Sequence, residues 1–350
     1  MVELGVLERY ARQVRLSAIG REGQERISSS SVVIAGVGAL GGFLAEYMVR
    51  AGVGRVVLVD RDVPSLVNLH RQIQFTEEDV RLGIPKAEAA RIRLRVINSE
   101  IDIVAMVDDI TSRNIESIIK DSNMVLDGTD NFETRLIIND ACVKNSIPWM
   151  YGGVVGTSGM AMLVRPGEGP CFRCLIPEVP AGPNMHTCDQ VGVLGPAVGL
   201  VASVQASTAL MWLGSESGGA SGGVADGAAE LWSMDVGPMG FRRMVVKREK
   251  GCRCCGLREF DYLNDKSTSE IVSICGSNTV QITPAIAVEV NVEELAERLG
   301  TVYECSVVGP VVRVKVANLE LIVFGNGRVL VIGTTEARVA RGVVAEVLGL

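Results

Sequence analysis

The chain has 350 residues, of which 47% are hydrophobic and 21% are charged, and its formal net charge is −7. The acidic balance argues against nucleic acid as the main partner. Charged residues among the first twenty positions argue against a signal peptide, and we expect no apolar run of about 18 residues that could span a membrane. We therefore predict a cytoplasmic protein. Its nine cysteines, an odd count, point to metal binding or chemistry before disulfides.

Residues 6–27 have a helical pattern, and the stretch that follows them organises the rest of the chain. Residues 32–35 are apolar and mostly β-branched, which predicts a buried strand, and residues 43–51 have helical periodicity. Between them lie three glycines in G-x-G-x-x-G spacing: Gly36, Gly38 and Gly41. Such a turn lets a phosphate approach the backbone and the free N–H groups at the start of a helix. A second strand ends at Asp60, placed to bind a ribose hydroxyl, so we predict a nucleotide site.

Strands and helices continue to alternate as far as residue 151, which is typical of a doubly wound sheet. A strand at residues 124–127 ends before Asp130, and a helix follows from residue 132 to residue 145. Residues 160–164 alternate, which predicts an antiparallel extension. Residues 178–190 and 215–227 are rich in loop-forming residues, and a long apolar helix is expected between them, buried or at a subunit interface.

The pattern changes near residue 257. We place an α/β domain at residues 1–256, a charged linker at 257–270 and a small α+β domain at 271–350. The predicted fold class is thus α/β, with a mostly parallel Rossmann-like sheet, an antiparallel extension, a zinc knuckle and a small C-terminal α+β domain. The C-terminal domain is predicted to hold several strands, a hairpin turn at residues 325–327, and helices at residues 292–299 and 336–348.

Four cysteines form two C-x-x-C pairs, Cys171 with Cys174 and Cys252 with Cys255. Four thiolates in this spacing can hold Zn²⁺ in a tetrahedral site. A closed site of this kind leaves no open position for catalysis, so we expect a structural role. The alternative is a redox C-x-x-C pair, which normally lies at a helix start beside a βαβ unit. Cys254 would be spare.

Cys188 lies in a polar stretch without a C-x-x-C partner, so it is a candidate nucleophile or persulfide carrier, or alternatively a surface thiol. Asp130 follows a buried strand and could hold Mg²⁺, or it could cap the helix that begins near residue 132. Polar and basic residues near the glycine turn could neutralise a triphosphate, although each taken singly could be a solvated surface residue. They are Arg12, Asn68, Arg71, Gln72 and Lys86.

The ordered set of motifs resembles the ubiquitin-activating superfamily, specifically the MoeB/ThiF adenylyltransferases. It covers residues 5–256 and includes R-Y-x-R-Q at 9–13, the glycine turn, D-x-D at 60–62, N-x-x-R-Q at 68–72, P-K at 85–86, D-x-T-D-N-x-x-x-R at 127–135, both cysteine pairs and T-C at 187–188. The resemblance implies an enzyme that adenylates the C-terminal Gly-Gly carboxylate of a ubiquitin-like sulfur-carrier protein. Its cofactors would be ATP, Mg²⁺ and Zn²⁺, and it would work as a homodimer.

The resemblance also implies roles for individual residues. Asp60 would hold the ribose, Asp130 would coordinate Mg²⁺, and Arg12 would reach into the neighbouring subunit's site. Cys188 matches a loop cysteine that in relatives forms a thioester or transfers sulfur. The nucleotide would contact the residues Gly36, Gly38, Gly41, Asp60, Asp62, Asn68, Arg71, Gln72, Lys86, Asp130 and Asn131.

Two departures from the family pattern stand out. Ala39 replaces a usual glycine and requires a negative φ at that position. The residues beyond 260 lack the cysteine-centred loop of a rhodanese, so we expect a partner-docking or dimer-stabilising domain there. Three alternatives remain: an NAD-dependent dehydrogenase, a tRNA-modifying dehydratase of the same superfamily, and a non-enzymatic scaffold.

Overall fold

The computed structural model describes residues 8–177, 191–216, 227–264, 271–274, 278–283 and 289–348. The chain divides into two compact units, one of residues 1–77 with 86–265 and the other of residues 78–85 with 266–350. The expected loop at 178–190, most of the one at 215–227, and part of the linker lie outside the described residues.

The first unit is built around an eight-stranded sheet with the order β3-β2-β1-β4-β5-β6-β7-β8. Its strands are β1 (Ser31–Ala35), β2 (Arg55–Val59), β3 (Asp102–Met106), β4 (Met124–Asp127), β5 (Trp149–Val155), β6 (Ser158–Val164), β7 (Ala228–Asp235) and β8 (Gly240–Lys247). The pairs from β3 to β5 are parallel and those from β5 to β8 are antiparallel. The fold class is confirmed, including the antiparallel extension.

Helices cover this sheet and join its parallel strands. They are α1 (Ala11–Val14), α2 (Gly20–Ser29), α3 (Ala39–Ala51), α5 (Lys86–Ile97), α6 (Ile115–Ile119), α7 (Phe132–Asn145), α8 (Phe172–Leu175), α9 (Gly195–Gly214) and α10 (Asp261–Asn264); α4 (Glu77–Leu82) lies at the division between the units. From β1 the chain adds β2 and β3 on one side and later adds β4 and β5 on the other, so the strand order reverses between β1 and β4. In such sheets, ligands bind at the carboxyl ends of the strands that flank this point.

The core lies on both faces of the sheet. Leu44 and Met48 of α3 are fully buried, and each such side chain contributes about 1.5–3 kcal/mol relative to exposure. Trp149 of β5 packs edge-on against Phe172, with ring centroids 5.5 Å apart.

Helix α9 is 20 residues long with a mean hydropathy of 1.4, which by length and composition alone would suffice to cross a membrane. The expectation that the chain has no such run is therefore wrong. Half of the apolar stretch of α9 is buried in the protein. Gln205 on this helix donates hydrogen bonds to the backbone of β4 and β5. Buried core helices of globular proteins can have the same length and apolar composition.

The N-terminal segment differs from the single helix expected over residues 6–27. Within the described residues, α1 and α2 are separate helices, and residues 8–9 before them are helical as well. Gly20 at the start of α2 has φ +62°, a left-handed conformation that interrupts the helical path.

The segment that follows residue 256 packs against the first unit. The backbone N–H of Tyr262 donates to Asp140 Oδ2 at 3.1 Å, and Arg173 forms an ion pair with Asp261 at 3.0 Å. The first compact unit therefore continues to residue 265, past residue 256 where we placed its end.

The second unit contains a six-stranded antiparallel sheet with the order β11-β12-β13-β14-β10-β9. Its elements are β9 (Ile271–Ile274), β10 (Thr279–Ile282), α11 (Val292–Leu299), β11 (Glu304–Val308), β12 (Val311–Val316), β13 (Leu319–Phe324), β14 (Val329–Ile332) and α12 (Ala337–Leu348). The two helices share a hydrophobic core with this sheet. The sequence predicted the hairpin turn at residues 325–327 but not the strand that follows it, β14.

Candidate active site

The glycine turn joins β1 to α3 and requires glycine at two positions. Gly36 has φ +82°, and its N–H donates to the carbonyl of Val59 at 2.8 Å. A Cβ on Gly41 would overlap the carbonyl oxygen of Gly36, so only glycine allows this approach of helix to strand. Ala39 begins α3 and does not have a positive φ, as its substitution for glycine requires.

Asp60 follows β2 and is bonded to the glycine turn. Its Oδ2 accepts the N–H of Val37 at 2.7 Å, and its Oδ1 accepts the N–H of Asp62 at 2.8 Å. Burial raises the pKa of the Asp60 carboxyl, while the nearby Lys86 ammonium and the two backbone donors oppose that shift. The acid therefore fixes the glycine turn to the carboxyl end of β2.

Lys86 begins α5 and is only 6% exposed. Its Nζ lies 3.3 Å from Asp62 Oδ2. Burial disfavours the ammonium, but the carboxylates of Asp62 and Asp60 outweigh that cost, and the pKa of Lys86 is raised with a smaller contribution from Asp130. The charge of Lys86 is thus stabilised by acidic residues that follow β2 and by one that follows β4.

Asp130 lies in a loop held by a buried ion pair. Asp127 is fully buried, and its Oδ1 accepts hydrogen bonds from the N–H and hydroxyl of Thr129. Arg135 lies 3.2 Å from Asp127 Oδ2 and also donates to the carbonyl of Thr129 at 2.6 Å. Burial raises the pKa of the Asp127 carboxyl, an effect that the Arg135 charge opposes. The loop is therefore fixed, while Asp130 itself is exposed.

Asn131, not Asp130, caps helix α7. Its side-chain oxygen accepts the N–H of Thr134 at 2.9 Å. The alternative reading of Asp130 as the helix cap is wrong. Its carboxylate is exposed and is near enough to Lys86 to contribute to the raised pKa of that ammonium.

The stretch after residue 65 carries three further expected site residues. Asn68 accepts hydrogen bonds from the backbone and hydroxyl of Ser65, and Arg71 donates to the carbonyl of Val67 at 2.9 Å. Gln72 is 5% exposed, and its Nε2 lies 3.6 Å from the position a Cβ on Gly38 would take. Among the described residues its buried Oε1 has no hydrogen-bond partner. A polar ligand over the turn would fit such an atom.

Arg12 is not brought to this site within one chain. Gln13 donates to the carbonyl of Ala51 at 3.1 Å, and Asn98 donates to the hydroxyl of Tyr10 at 2.8 Å and to the carbonyl of Val49 at 3.1 Å. These bonds hold the segment at the C-terminal end of α3. That helix has 13 residues, so the glycine turn at its other end is about 20 Å away. Arg12 is exposed there.

Three supporting residues received no role from the sequence, although one of them, Arg135, ends the D-x-T-D-N-x-x-x-R motif. Gln74 donates to the carbonyl of Gly42 at 3.0 Å and to Glu46 at 2.9 Å, which fixes the Asn68–Gln72 stretch to α3. Gln205 and Arg135 bind the backbone ends of β4 and β5. For Gln205 the available signal was a polar residue within an otherwise apolar helix.

The four cysteines of the two C-x-x-C pairs meet in space. Their sulfur atoms all lie within 4.8 Å of one another, with Cys171 and Cys252 3.6 Å apart and Cys174 and Cys255 3.4 Å apart. A tetrahedral site with Zn–S bonds of about 2.3 Å has sulfur atoms about 3.8 Å apart, so this cluster fits a zinc ion. None of the four forms a disulfide. Cys188 lies outside the described residues.

The sequence pattern of the ThiF family matches residues 10–256. This chain belongs to the ThiF family. Its curated relatives include sulfur carrier protein adenylyltransferases that it matches over most of their length, so the chain is an adenylyltransferase, which contradicts the dehydrogenase and scaffold alternatives.

Relatives of this ThiF-family chain differ in how much of it they share. It is 37% identical over 342 residues to the sulfur carrier protein ThiS adenylyltransferase of Bacillus subtilis, covering 97% of this chain and 99% of the relative. It is 36% identical to the Escherichia coli protein of the same name, covering 71% and 94%, and 35% identical to the SAMP-activating enzyme E1 of Haloferax volcanii, covering 74% and 92%.

Solved structures agree with the fold. The crystal structure of Escherichia coli MccB with MccA-N7isoASN is similar with a TM-score of 0.61 at 22% identity, covering 71% of this chain and 74% of the other. At that identity the likeness concerns the fold alone.

Proposed function

We propose that this ThiF-family chain adenylates the C-terminal Gly-Gly carboxylate of a ubiquitin-like sulfur-carrier protein, using ATP and releasing pyrophosphate. The observation that carries the proposal is the convergence of Asp60, Lys86 and Asp130 around the glycine turn. The similarity to the Bacillus subtilis ThiS adenylyltransferase over 97% of the chain supports the choice of carrier class.

The proposed site works by positioning and charge neutralisation. The triphosphate would lie over Gly38 and the free N–H groups at the start of α3, with its ribose at Asp60. The carrier's carboxylate is ionised at neutral pH, so it needs no general base. Its oxygen forms a bond to the α-phosphorus, the bond from that phosphorus to the bridging oxygen breaks, and its electron pair leaves on pyrophosphate.

Side chains near the turn would stabilise the charge that develops on the leaving group. Lys86 is preorganised because its two acidic neighbours already hold it in the charged form. Arg71, Asn68 and Gln72 would contact the phosphates through their N–H donors, and Nε2 of Gln72 already lies beside Gly38 of the turn. Asp62 orients Lys86, and Asn131 would lie beside the phosphates while it caps α7.

The residues present fit Mg²⁺ at Asp130. Its exposed carboxylate, set on a loop fixed by Asp127 and Arg135, is the oxygen donor that Mg²⁺ prefers. When bound, the ion supplies neutralisation of phosphate charge.

We propose a homodimer in which Arg12 serves the second copy. Because Arg12 lies about 20 Å from its own glycine turn, it has no role in its own site. Helix α9 adds support, since Met211 on it is 43% exposed and half of its apolar stretch is not buried. A second copy would cover that stripe and receive Arg12.

We propose that the four-cysteine cluster holds a structural Zn²⁺ that joins the stretches around Cys171 and Cys252. Zinc binding requires that these four thiols stay reduced, as they are here. Because the cytoplasm keeps thiols reduced, we propose that the protein works there. We propose neither nucleic acid nor membrane as a partner.

A later step at Cys188 is part of the same proposal. Its thiolate would attack the carbonyl of the acyl-adenylate, forming a thioester and releasing AMP; alternatively it would take the outer sulfur of a donor enzyme's cysteine persulfide, releasing the donor's thiol. We expect adenylation to survive in Cys188→Ala while sulfur transfer fails. Loss of adenylation in that variant would give Cys188 a structural role instead.

The deciding experiment is exchange of radiolabelled pyrophosphate into ATP. We expect exchange only when a ThiS-type carrier ending in Gly-Gly is added, and none with a matched carrier that lacks the last glycine. Exchange without a carrier, or with a free small carboxylic acid as in a tRNA-modifying dehydratase, would overturn the proposed substrate.

A further inference from the structure

Asn139 lies between the two cysteine pairs and contacts both. It belongs to helix α7, and its side chain is fully buried. Its Oδ1 accepts the backbone N–H of Phe172 at 2.8 Å, and its Nδ2 donates to the sulfur of Cys254 at 3.2 Å. One amide therefore joins two segments whose facing ligands, Cys171 and Cys252, are 81 residues apart.

Each contact lies inside one C-x-x-C pair. Phe172 follows Cys171 and begins the short helix α8, so its N–H has no partner within the helix. Cys254 precedes Cys255 and is fully buried. The four sulfur atoms that cluster do not include that of Cys254, which leaves its sulfur as an acceptor for Asn139.

We propose that Asn139 is a positioning residue for the four-cysteine metal site, and that Cys254 is its contact on the second pair and not a metal ligand. A short amide bridge between the pairs fixes the separation of the thiolates before metal binds. Partners of this kind commonly change metal affinity by about 10–100-fold. The neighbouring Asp140 supports the bridge because its carboxylate accepts both Asn139 Nδ2 at 3.3 Å and the N–H of Tyr262.

The position of Asn139 also links the metal site to the nucleotide site. Helix α7 begins at Phe132, directly after Asp130 and its cap Asn131, and holds Asn139 two turns later. The bridge therefore fixes the cysteine pairs to the same helix that carries the proposed Mg²⁺ loop.

The test measures zinc release from the full-length protein at 20 °C with an excess of chelator. Asn139→Leu keeps the branched shape of the side chain and removes its hydrogen bonds to Phe172, Cys254 and Asp140, and we expect release to be at least tenfold faster. Asn145→Leu is the matched control on α7, because Asn145 bonds to Glu116 and Ala141 away from the cysteines. Its release rate should equal that of the wild type.

Cobalt provides a readout that general destabilisation does not change. In the Co²⁺-substituted protein, the visible ligand-field bands of the thiolate site should shift in Asn139→Leu and not in Asn145→Leu. A folded Asn139→Leu chain with wild-type release and wild-type bands would overturn the proposal.

Cys254→Ala keeps the inference testable if Asn139→Leu does not fold. We expect this variant to retain the wild-type zinc content and to release the ion about threefold faster, since only one arm of the bridge is lost. A release rate equal to that of the wild type, or loss of the ion from the purified chain, would overturn the assignment. The inference rests on the proposed zinc site, and wild-type protein without zinc would refute that site first.

Discussion

The backbone N–H of Val37 donates to Asp60 Oδ2 at 2.7 Å, so the acid that ends β2 also fixes the glycine turn that follows β1. The second carboxylate oxygen accepts the N–H of Asp62. A side chain expected only to bind ribose is therefore also part of the architecture of the turn.

Asp60→Asn should weaken ATP binding more than it harms the fold. The amide can accept only one of the two backbone hydrogen bonds, and an unsatisfied buried donor costs about 1–3 kcal/mol. We expect KM for ATP to rise about tenfold, with a fall of a few degrees in Tm. Asp102→Asn, which removes an exposed ion pair with Arg55 on the same sheet, should leave KM unchanged. Equal KM values in both variants would contradict the role of Asp60.

Lys86→Met should reveal the raised pKa of the ammonium. Because the folded-state pKa lies above the ordinary value of 10.5, the charged form stabilises the fold fully below the unfolded pKa, and this stability is lost as pH rises through the folded value. Urea unfolding should show the wild type more stable by on the order of 2 kcal/mol, constant from pH 7 to 9.5 and shrinking above about pH 10.5. A difference that already changes between pH 7 and 9 would contradict this assignment.

Asp130→Asn should stop catalysis without unfolding the protein. The side chain is exposed and does not cap α7, so Tm should stay within about 1 °C while carrier-dependent exchange falls at least 100-fold. Glu133→Gln, an exposed change in the first turn of the same helix, is the control and should retain exchange. Substantial exchange by Asp130→Asn at saturating Mg²⁺ would move the metal site elsewhere.

The sequence predicted the sheet because its buried strands and helices have distinct periodicities, and it predicted the position of Asp60 and Asp130 because parallel strands end at one edge. It did not predict what holds these residues. Gln74, Arg135 and Gln205 act through contacts with Glu46, Gly152 and Met150 that are 28, 17 and 55 residues away. No local pattern encodes such pairs.

The break in the N-terminal helix escaped prediction for a related reason. Apolar and polar residues alternate with one uninterrupted helical period through residues 6–27. In the structure, however, Gln13 is hydrogen-bonded to Ala51, 38 residues away, and Tyr10 to Asn98, 88 residues away. Those long-range bonds hold the segment against the end of α3, and Gly20 supplies the left-handed turn.

Arg12 can be tested by mixing two inactive chains. If Arg12 completes the second copy's site, Arg12→Ala and Asp130→Ala homodimers each lack a complete site. Random exchange of subunits makes half of the dimers mixed, and one of the two sites in each is complete, so about a quarter of wild-type exchange should return. Recovery no greater than the average of the two separate variants would show that Arg12 acts in its own chain or not at all.

Removal of the residues beyond 265 should separate adenylation from the second unit. The Escherichia coli relative is covered over 94% of its length by only 71% of this chain, and the proposed site lies wholly in the first unit. We expect a chain ending at residue 265 to keep kcat for pyrophosphate exchange within about threefold of the full-length value. A rise in KM for the carrier alone would assign partner docking to the second unit, and a shift to monomer on sedimentation would assign it dimer stabilisation. Loss of exchange from a truncated chain that still binds ATP would contradict the separation, because the second unit would then be needed for the chemistry.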